Sequence, residues 1–255
     1  MWERWKIDSR KLSSAIEILM QNLMGCYADQ RVAVSLPSLR VGSLTPALMN
    51  EIKKVRKTGF TLAPEAGSER LRQVINKGIL EEDLIDSART AFELGWRVIK
   101  LYFMIGLPTE TDEDLIALVD LAARVKAAGR KTEGGADVNV SVSTFVPKAH
   151  TPFQWDAQIG IDETLTRQEN LRGALKKKKL RLKWHEAELS FLEGVFARGD
   201  RRLGDVLEEA VKRGCRFDGW RDHFRWDLWQ EPFAAVGLDP TWYLRQLLTG
   251  ETFPW

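Results

Sequence analysis

The chain has 255 residues, of which 44% are hydrophobic and 29% are charged, enough for one sizeable core or two smaller ones. This composition excludes a disordered chain, a collagen-like chain and a small disulfide-stabilised scaffold. Lysine and arginine number 38 against 36 acidic residues, so the net charge of +2 provides no strong field for nucleic acid or an acidic membrane. No apolar stretch is long enough for a membrane span, and no apolar segment follows the charged opening residues. We therefore expect a cytoplasmic protein that has no membrane partner.

Short apolar runs alternate with helical patterns from residue 31 to about residue 155, which is typical of a parallel sheet covered by helices. The runs predict four strands, which start near residues 32, 60, 98 and 138. Right-handed crossovers would place these strands in parallel and in sequential order. Because four strands cannot close a barrel of about eight, the sheet is either open or part of something larger.

Capping residues mark the helices between these strands. Thr45 and Ser68 stand at predicted N-cap positions, and Thr111 and Asp114 stand in the order of a capping box. The predicted helices span 46–57, 69–77 and 82–94, and a further one begins after Thr111. Each predicted helix lies between two strands, as a βαβ arrangement requires.

The last predicted strand alternates apolar and polar residues. Three valines, at positions 138, 140 and 142, alternate with Asn139, Ser141 and Ser143. A parallel strand that is covered on both faces is usually apolar throughout, so one face of this strand meets something polar. A barrel lumen that holds a hydrophilic ligand fits the pattern, and an edge strand with one solvated face is the alternative.

Beyond residue 155 the sheet pattern stops. Leu175, Leu182, Leu189 and Phe196 recur every seven residues and predict one long helix or two between residues 162 and 198. Half of the ten tryptophans fall in the last 40 residues, which indicates a second region. The sequence therefore predicts a helical lead at 1–30, a partial barrel at 31–158 and a helical, tryptophan-rich region at 159–255.

Four loops follow the predicted strands, and ligands of parallel α/β sheets bind at such exits. The loops are rich in glycine and proline, which let backbone groups approach a ligand closely. Ser38, Arg40 and Glu65 could supply a hydroxyl, a guanidinium and a carboxylate. Alternatively, Glu65 caps the next helix and Arg40 pairs with a surface carboxylate. The loop sequences are SLPSLR (35–40), APEAGSER (63–70), FMIGLPTET (103–111) and FVPKAHTPFQW (145–155).

Taken together and in this order, the loops resemble the second half of a radical S-adenosylmethionine (SAM) barrel. The resemblance is to the cobalamin-binding type, near its elongator-like and methylthiotransferase-like branches. Residues 104–111 are similar to the segment at that superfamily's fifth strand, and residues 65–68 to the turn at its fourth. Residues 145–148 and 151–153 are similar to the end of its sixth strand. The resemblance implies an α/β protein with a partial (β/α) barrel of about four parallel strands, followed by a mainly helical carboxyl-terminal region.

The resemblance also implies SAM as a cofactor. Ser38 and Arg40 would lie beside the ribose or methionyl end of SAM, and Glu65 and Ser68 would be polar contacts at the fourth strand. The implied apolar and backbone surface against adenine consists of Ile105, Gly106, Phe145, Val146 and Pro147, with Pro108 as a further cofactor-binding residue.

Cysteine usage departs from the superfamily pattern, in which three thiolates of a Cys-x3-Cys-x2-Cys loop hold a 4Fe-4S cluster. The two cysteines, Cys26 and Cys215, lie far apart, and the histidines show no metal-ligand spacing, so no metal site is predicted. The resemblance then implies either the carboxyl-terminal part of a radical SAM protein or a descendant that has lost the cluster. The first two strands, the cluster motif and the cobalamin domain would belong to the complete protein only. We expect the chain to be inactive alone and to need a polypeptide that carries the missing amino-terminal barrel half.

Two other interpretations stay open. The partial barrel and the tryptophan-rich region could form a non-catalytic module that binds another protein. The basic stretch from Lys176 to Lys183, beside Trp184, could bind RNA weakly, although the near-zero net charge argues against nucleic acid. The substrate and the reaction type are not encoded in the shared motifs.

Overall fold

The computed structural model describes residues 9–32, 34, 45–55, 60–130, 132 and 135–255. The strand predicted at 32–36 lies largely outside these residues. The helices of the described residues are α1 (Ser9–Tyr27), α2 (Pro46–Lys53), α3 (Glu69–Val74), α4 (Glu81–Glu93), α5 (Asp112–Ala128), α6 (Ile161–Lys177), α7 (Ala187–Ala197), α8 (Leu203–Lys212) and α9 (Trp226–Val236). The strands are β1 (Phe60–Glu65), β2 (Val98–Ile105), β3 (Asp137–Thr144) and β4 (Arg181–Trp184), and two short 3-10 helices lie at Pro152–Trp155 and Pro240–Leu244.

The four strands form one sheet in the order β1-β2-β3-β4. β1 pairs in parallel with β2, from Phe60 opposite Ile99 to Leu62 opposite Leu101, and the register shifts before Glu65. The predicted α/β fold with four parallel strands in one sheet is therefore confirmed, and three of these strands, β1 to β3, are ones that the sequence predicted. No described helix is long and apolar enough to cross a bilayer.

The fourth strand of this sheet is a correction to the sequence prediction. β4 lies within the stretch from 162 to 198 that was predicted to be helical, and it interrupts that stretch after α6. Lys179 adopts a left-handed φ of 55° and turns the chain into the strand. The amino end of β4 lies near that of β3, because Lys126 Nζ donates to Asp137 Oδ1 at 3.0 Å and to the Lys179 carbonyl at 2.8 Å. The strand has only four residues, so pairing with β3, not its own apolar pattern, specifies it.

Local capping confirms the predicted helix starts. The Thr45 hydroxyl accepts from the Leu48 N–H at 3.2 Å and the Ser68 hydroxyl from the Leu71 N–H at 3.1 Å. α2 and α3 end four and three residues earlier than predicted. After α3, Asn76 has a φ of 53°, a left-handed conformation that ends a helix.

The sheet has one buried and one polar face, as the alternation of β3 predicts. The buried face of β3 carries Val138, Val140 and Val142, whereas Asn139 and Ser141 are half-buried. β1 and β2 alternate in the same way. The buried partners on these two strands are Phe60, Leu62, Ile99, Leu101 and Phe103. A sheet with one covered face and one polar face is thus present in the described residues.

The chain divides into two compact units. The first comprises Met1–Phe103, Thr111–Val142 and Leu171–Lys183, and the second comprises Met104–Glu110, Ser143–Asn170 and Trp184–Trp255. In the first, the buried sheet face packs with side chains of the helices, among them Leu84, Phe92 and Leu118. The second has its own core, in which Phe191, Val206, Trp229 and Phe233 are members. The predicted boundaries at residues 30 and 158 stay a prediction.

Candidate functional site

The predicted site residues fall on the exits of three strands. In the first unit, Glu65 ends β1 and Ser68 follows it. In the second unit, the exits of β2 and β3 carry Ile105, Gly106, Pro108, Phe145, Val146 and Pro147. Ser38 and Arg40 lie outside the described residues, so their predicted contacts stay predictions.

Each of these exits holds one non-glycine residue in the left-handed region of backbone space. Glu65, Thr109 and His150 have φ angles of 67°, 65° and 59°. Such conformations cost about 1–3 kcal/mol each and cluster at functional sites. These three residues lie at the end of β1 and in the loops that follow β2 and β3.

In the first unit, Glu65 forms an ion pair with Lys77. Its Oε1 lies 2.9 Å from Lys77 Nζ, and the two side chains are 26% and 29% exposed. The carboxylate is thus held in position but still reachable from solvent. The alternative that Glu65 caps the following helix is wrong, because Ser68 is the N-cap residue of α3.

The Ser68 hydroxyl both accepts and donates a hydrogen bond within the protein. The oxygen accepts from Leu71, and the proton is donated to the carboxylate of Asp114 on α5. Ser68 therefore ties the β1 exit turn to the start of α5. Its predicted role as a cofactor contact stays a prediction.

Asp114 is the centre of a buried hydrogen-bond cluster. It is 4% exposed, and its Oδ2 accepts from the Thr111 N–H at 2.8 Å and pairs with Arg70. Burial alone would raise the pKa of Asp114, but the hydrogen bonds from Ser68, Thr111 and Arg70 outweigh it and lower the pKa. The ionised carboxylate therefore holds the β1 exit turn against α5 at neutral pH.

The glycine of the same turn has no room for a side chain. A Cβ on Gly67 would meet the backbone N of Leu118 and the backbone O of Asp114 in α5. This contact involves backbone atoms on both sides, so it cannot relax by a rotamer change. Gly67 is needed where the turn touches α5.

Arg72 is a buried positioning residue of the β1 exit turn that was not predicted from the sequence. Its side chain is 1% exposed, and its guanidinium donates to the carbonyls of Ala66 at 3.1 Å, Gly67 at 2.8 Å and Ile79 at 3.0 Å. Burial lowers the pKa of the guanidinium, against the opposing charges of Glu81 and Glu69. Arg72 fixes the backbone of the β1 exit turn from inside. An arginine inside an apolar helix stripe, next to Leu71, was the only sequence signal.

The polar sheet face of the first unit is available to a hydrophilic ligand. Lys100 and Tyr102 project from it on β2 and are exposed, and Ser141 on β3 is half-buried. The Asn139 Oδ1 atom is buried without a hydrogen-bond partner among the described residues. A buried amide oxygen normally accepts a hydrogen bond. The unpaired oxygen of Asn139 therefore favours a hydrogen-bond donor on the polar face from outside the described residues.

In the second unit, the exits of β2 and β3 are joined by a backbone hydrogen bond. The Phe145 N–H donates to the Ile105 carbonyl at 2.8 Å. Gly106 follows with a φ of 76°, and a Cβ there would lie 2.7 Å from Ile159 Cδ1. The rings of Phe145 and Phe153 meet edge to face, with their centroids 5.8 Å apart. Of the residues predicted to form the apolar surface, Ile105, Gly106 and Phe145 are brought together. In the same loops Pro147 is buried, and Pro108 and Val146 are half-buried.

Glu110 shapes the turn that follows β2. Its side chain is 2% exposed, accepts from the Gly106 N–H at 2.9 Å and pairs with Arg167 of α6. Burial raises the pKa of Glu110, and the bonds from Gly106 and Arg167 oppose the rise only partly. Arg167 also bonds Glu163 at 2.6 Å. Glu110 belongs to the motif at residues 104–111, but its pairing with Arg167 is not predictable from the sequence.

The cysteines do not fit a 4Fe-4S cluster, which needs three thiolates. Cys26 is exposed on α1 of the first unit, and Cys215 is buried after α8 of the second, where burial raises its pKa. No group of three histidine, cysteine or acidic side chains in the described part of the chain could hold a metal ion.

The basic stretch is partly neutralised in the first unit. Lys178 Nζ lies 3.4 Å from an Asp120 oxygen, and Arg181 Nε lies 3.8 Å from an Asp137 oxygen. Surface pairs of this kind reduce the charge that is offered to a polyanion. They add to the near-neutral composition as an argument against an RNA interface there.

Comparison with known proteins supports the resemblance. Residues 12–122 match the family model of the radical SAM superfamily, a range that includes β1, β2 and the turns at 65–68 and 106–110. An uncharacterized protein of Methanocaldococcus jannaschii is 38% identical over 181 residues, which are 71% of this chain and 38% of that protein. The chain thus spans well under half the length of this curated relative. The cobalamin-binding subtype stays a prediction, and what the match shows is that residues 12–122 are similar to the radical SAM superfamily.

Proposed function

We propose that the chain supplies SAM-binding strand exits to a radical SAM enzyme. The observation that carries the proposal is the joined exit of β2 and β3, where the Phe145 N–H bonds the Ile105 carbonyl at 2.8 Å beside Gly106. An apolar surface interrupted by backbone groups suits a purine ring, which offers flat faces and hydrogen-bonding edges. The superfamily match of residues 12–122 supports SAM as the ligand.

In the first unit, taken by itself, the Glu65 carboxylate can accept from a hydroxyl or an ammonium group, and Lys77 beside it can pair with a carboxylate. When a 4Fe-4S cluster is present in a radical SAM enzyme, it supplies the electron for SAM cleavage. In this proposal the chain's own residues bind and orient SAM.

We propose further that a partner polypeptide provides the cluster thiolates, the remaining barrel strands and any cobalamin domain. The poor fit of Cys26 and Cys215 to a cluster supports this division of labour. β1 and β4 are the outer strands of the described sheet, and an outer strand offers unpaired backbone groups for added strands. Alone, the chain is then inactive.

Equilibrium dialysis of the chain against labelled SAM under anaerobic conditions tests the ligand. We expect saturable binding that Gly106→Ala and Val146→Arg weaken at least tenfold, because the first strains the turn and the second places a charge on the half-buried adenine surface. Gly173→Ala on α6, where an added Cβ meets nothing within 4 Å, is the control and binds like the original chain. Thermal unfolding identifies variants that fail to fold. No saturable binding up to millimolar SAM, or equal binding by both folded site variants, would overturn the proposal.

Iron and sulfide analysis after anaerobic reconstitution tests the need for a partner. We expect substoichiometric iron and no 4Fe-4S absorption on the isolated chain. A full cluster on this chain would refute the partner requirement but leave the SAM site intact.

A non-catalytic interaction module is the second candidate, and the same poor fit to a cluster favours it. It predicts a stable complex with the strand-bearing partner and no effect of SAM on that complex. Stabilisation of the complex by SAM would reject this alternative.

A further inference from the structure

A groove of about 810 Å³ lies wholly within the second unit, among the start of α6, α7, α9 and the chain after α9. We call it the aromatic groove. Its volume lies within the roughly 300–1,000 Å³ of small-molecule pockets. Its lining includes Asp162, Glu163, Phe191, Trp226, Gln230 and Phe233.

Three aromatic side chains form an ordered wall of the groove. Phe191 and Phe233 are core residues with exposures of 7% and 2%, so the core fixes their rings. Trp226 is half-buried and meets Phe191 edge to face, with their centroids 5.7 Å apart. Because these rings are already ordered, a ligand that packs on them loses little binding free energy to fixing their side chains.

The charged groups that line the groove are acidic. Asp162 and Glu163 belong to the first turn of α6, and the lining includes no basic side chain. Glu163 is engaged by Arg167 at 2.6 Å. The Asp162 carboxylate and the Gln230 amide have no hydrogen-bond partner among the described residues, so both are available to a ligand.

We propose that the aromatic groove binds a small organic cation, an ammonium or guanidinium group on an aryl or alkyl body. The cation pairs with Asp162, Gln230 accepts a further hydrogen bond, and the apolar body packs against the rings of Trp226 and Phe191. Anions are the usual ligands of a helix N-terminus. At the start of α6 an anion would meet the two carboxylates of Asp162 and Glu163, so an anionic ligand is excluded there. The groove contains none of the residues proposed to bind SAM, so the two proposals stand or fall separately.

Fluorine NMR of the full chain labelled with 5-fluorotryptophan gives a local readout. The resonance that disappears in Trp226→Phe assigns Trp226 among the ten tryptophans. We expect phenethylammonium to shift this resonance saturably, and its neutral match, phenethyl alcohol, to bind at least five times more weakly. Phenylacetate, the anionic match, should not bind.

Substitutions then separate the cation contact from general packing. Asp162→Asn should weaken phenethylammonium binding about fivefold and leave phenethyl alcohol binding unchanged. Asp227→Asn is the matched control, because Asp227 pairs with Arg225 at 2.6 Å and does not line the groove. Equal affinities for the ammonium and the alcohol, preferred binding of phenylacetate, or no effect of Asp162→Asn would overturn the proposal. Binding of an arginine-containing peptide without binding of phenethylammonium would also overturn it, since the groove would then serve a protein partner.

Discussion

The Gly106 N–H donates to the Glu110 carboxylate at 2.9 Å, so the carboxylate holds the turn in which Gly106 has a left-handed φ of 76°. The same carboxylate pairs with Arg167, 57 residues further along the chain. A local turn and a distant helix of the second unit therefore share one buried charge. This arrangement makes the exit of β2 depend on the ionisation of Glu110.

Glu110 should make the protein less stable as the pH rises. Burial raises its pKa above the ordinary 4.5, so the folded chain holds this proton more tightly than the unfolded chain. Its contribution to stability is greatest below pH 4.5 and falls as the pH rises through the folded pKa. In Glu110→Gln this decline should disappear from urea unfolding measured across the pH range. Glu208→Gln, at a 70% exposed surface pair, should keep the decline.

Asp114 should act in the opposite direction. Its pKa is lowered below 3.8, so its stabilising effect is full above that value and is lost as the pH falls through the folded pKa. Asp114→Asn should remove this acid-dependent loss and cost about 2 kcal/mol at pH 7, because a charge-assisted bond to a buried carboxylate is worth about 1.5–3 kcal/mol. Urea unfolding measures both effects. Asp86→Asn, in an exposed pair with Arg89, should cost under about 1 kcal/mol. A larger loss for Asp86→Asn than for Asp114→Asn would contradict the assignment.

Gly67→Ala should destabilise the protein by about 1–3 kcal/mol or more, because the new methyl group overlaps the α5 backbone. Gly173→Ala should have the opposite sign, since it gains about 1 kcal/mol of helix propensity without a contact. Thermal unfolding of the two variants side by side checks the prediction. Equal melting temperatures would show that the turn can move away from α5.

Arg72→Met should loosen the β1 exit turn. It leaves the carbonyls of Ala66, Gly67 and Ile79 without their donor, and each buried acceptor that loses its hydrogen bond costs about 1–3 kcal/mol. Hydrogen exchange should rise at residues 65–68, and Arg89→Met on the surface of α4 should leave it unchanged. Unchanged exchange in a folded Arg72→Met variant would refute the positioning role. Arg72→Lys keeps the positive charge but cannot donate to all three carbonyls in the same geometry. It should therefore retain only part of the protection of residues 65–68 against hydrogen exchange.

Elements that depend on neighbours in the chain were predictable. The N-caps Thr45 and Ser68 and the box of Thr111 with Asp114 lie within three residues of the groups they satisfy. β2 occupies the predicted residues, because its apolar run is bounded on both sides by turn residues. β4 was missed because its four residues become a strand only by pairing with β3.

The sequence by itself determined the strands β1, β2 and β3, the N-caps of α2, α3 and α5 and the polar face of β3, since these follow from capping and from side-chain periodicity. The tertiary structure alone decided which charges meet: Asp114 with Ser68 and Arg70, and Glu110 with Arg167. The partners in each of these pairs are at least 44 residues apart in the chain, so no local spacing rule predicts them. Packing brings them together, and burial then sets the pKa of each carboxylate, which no linear pattern of residues encodes.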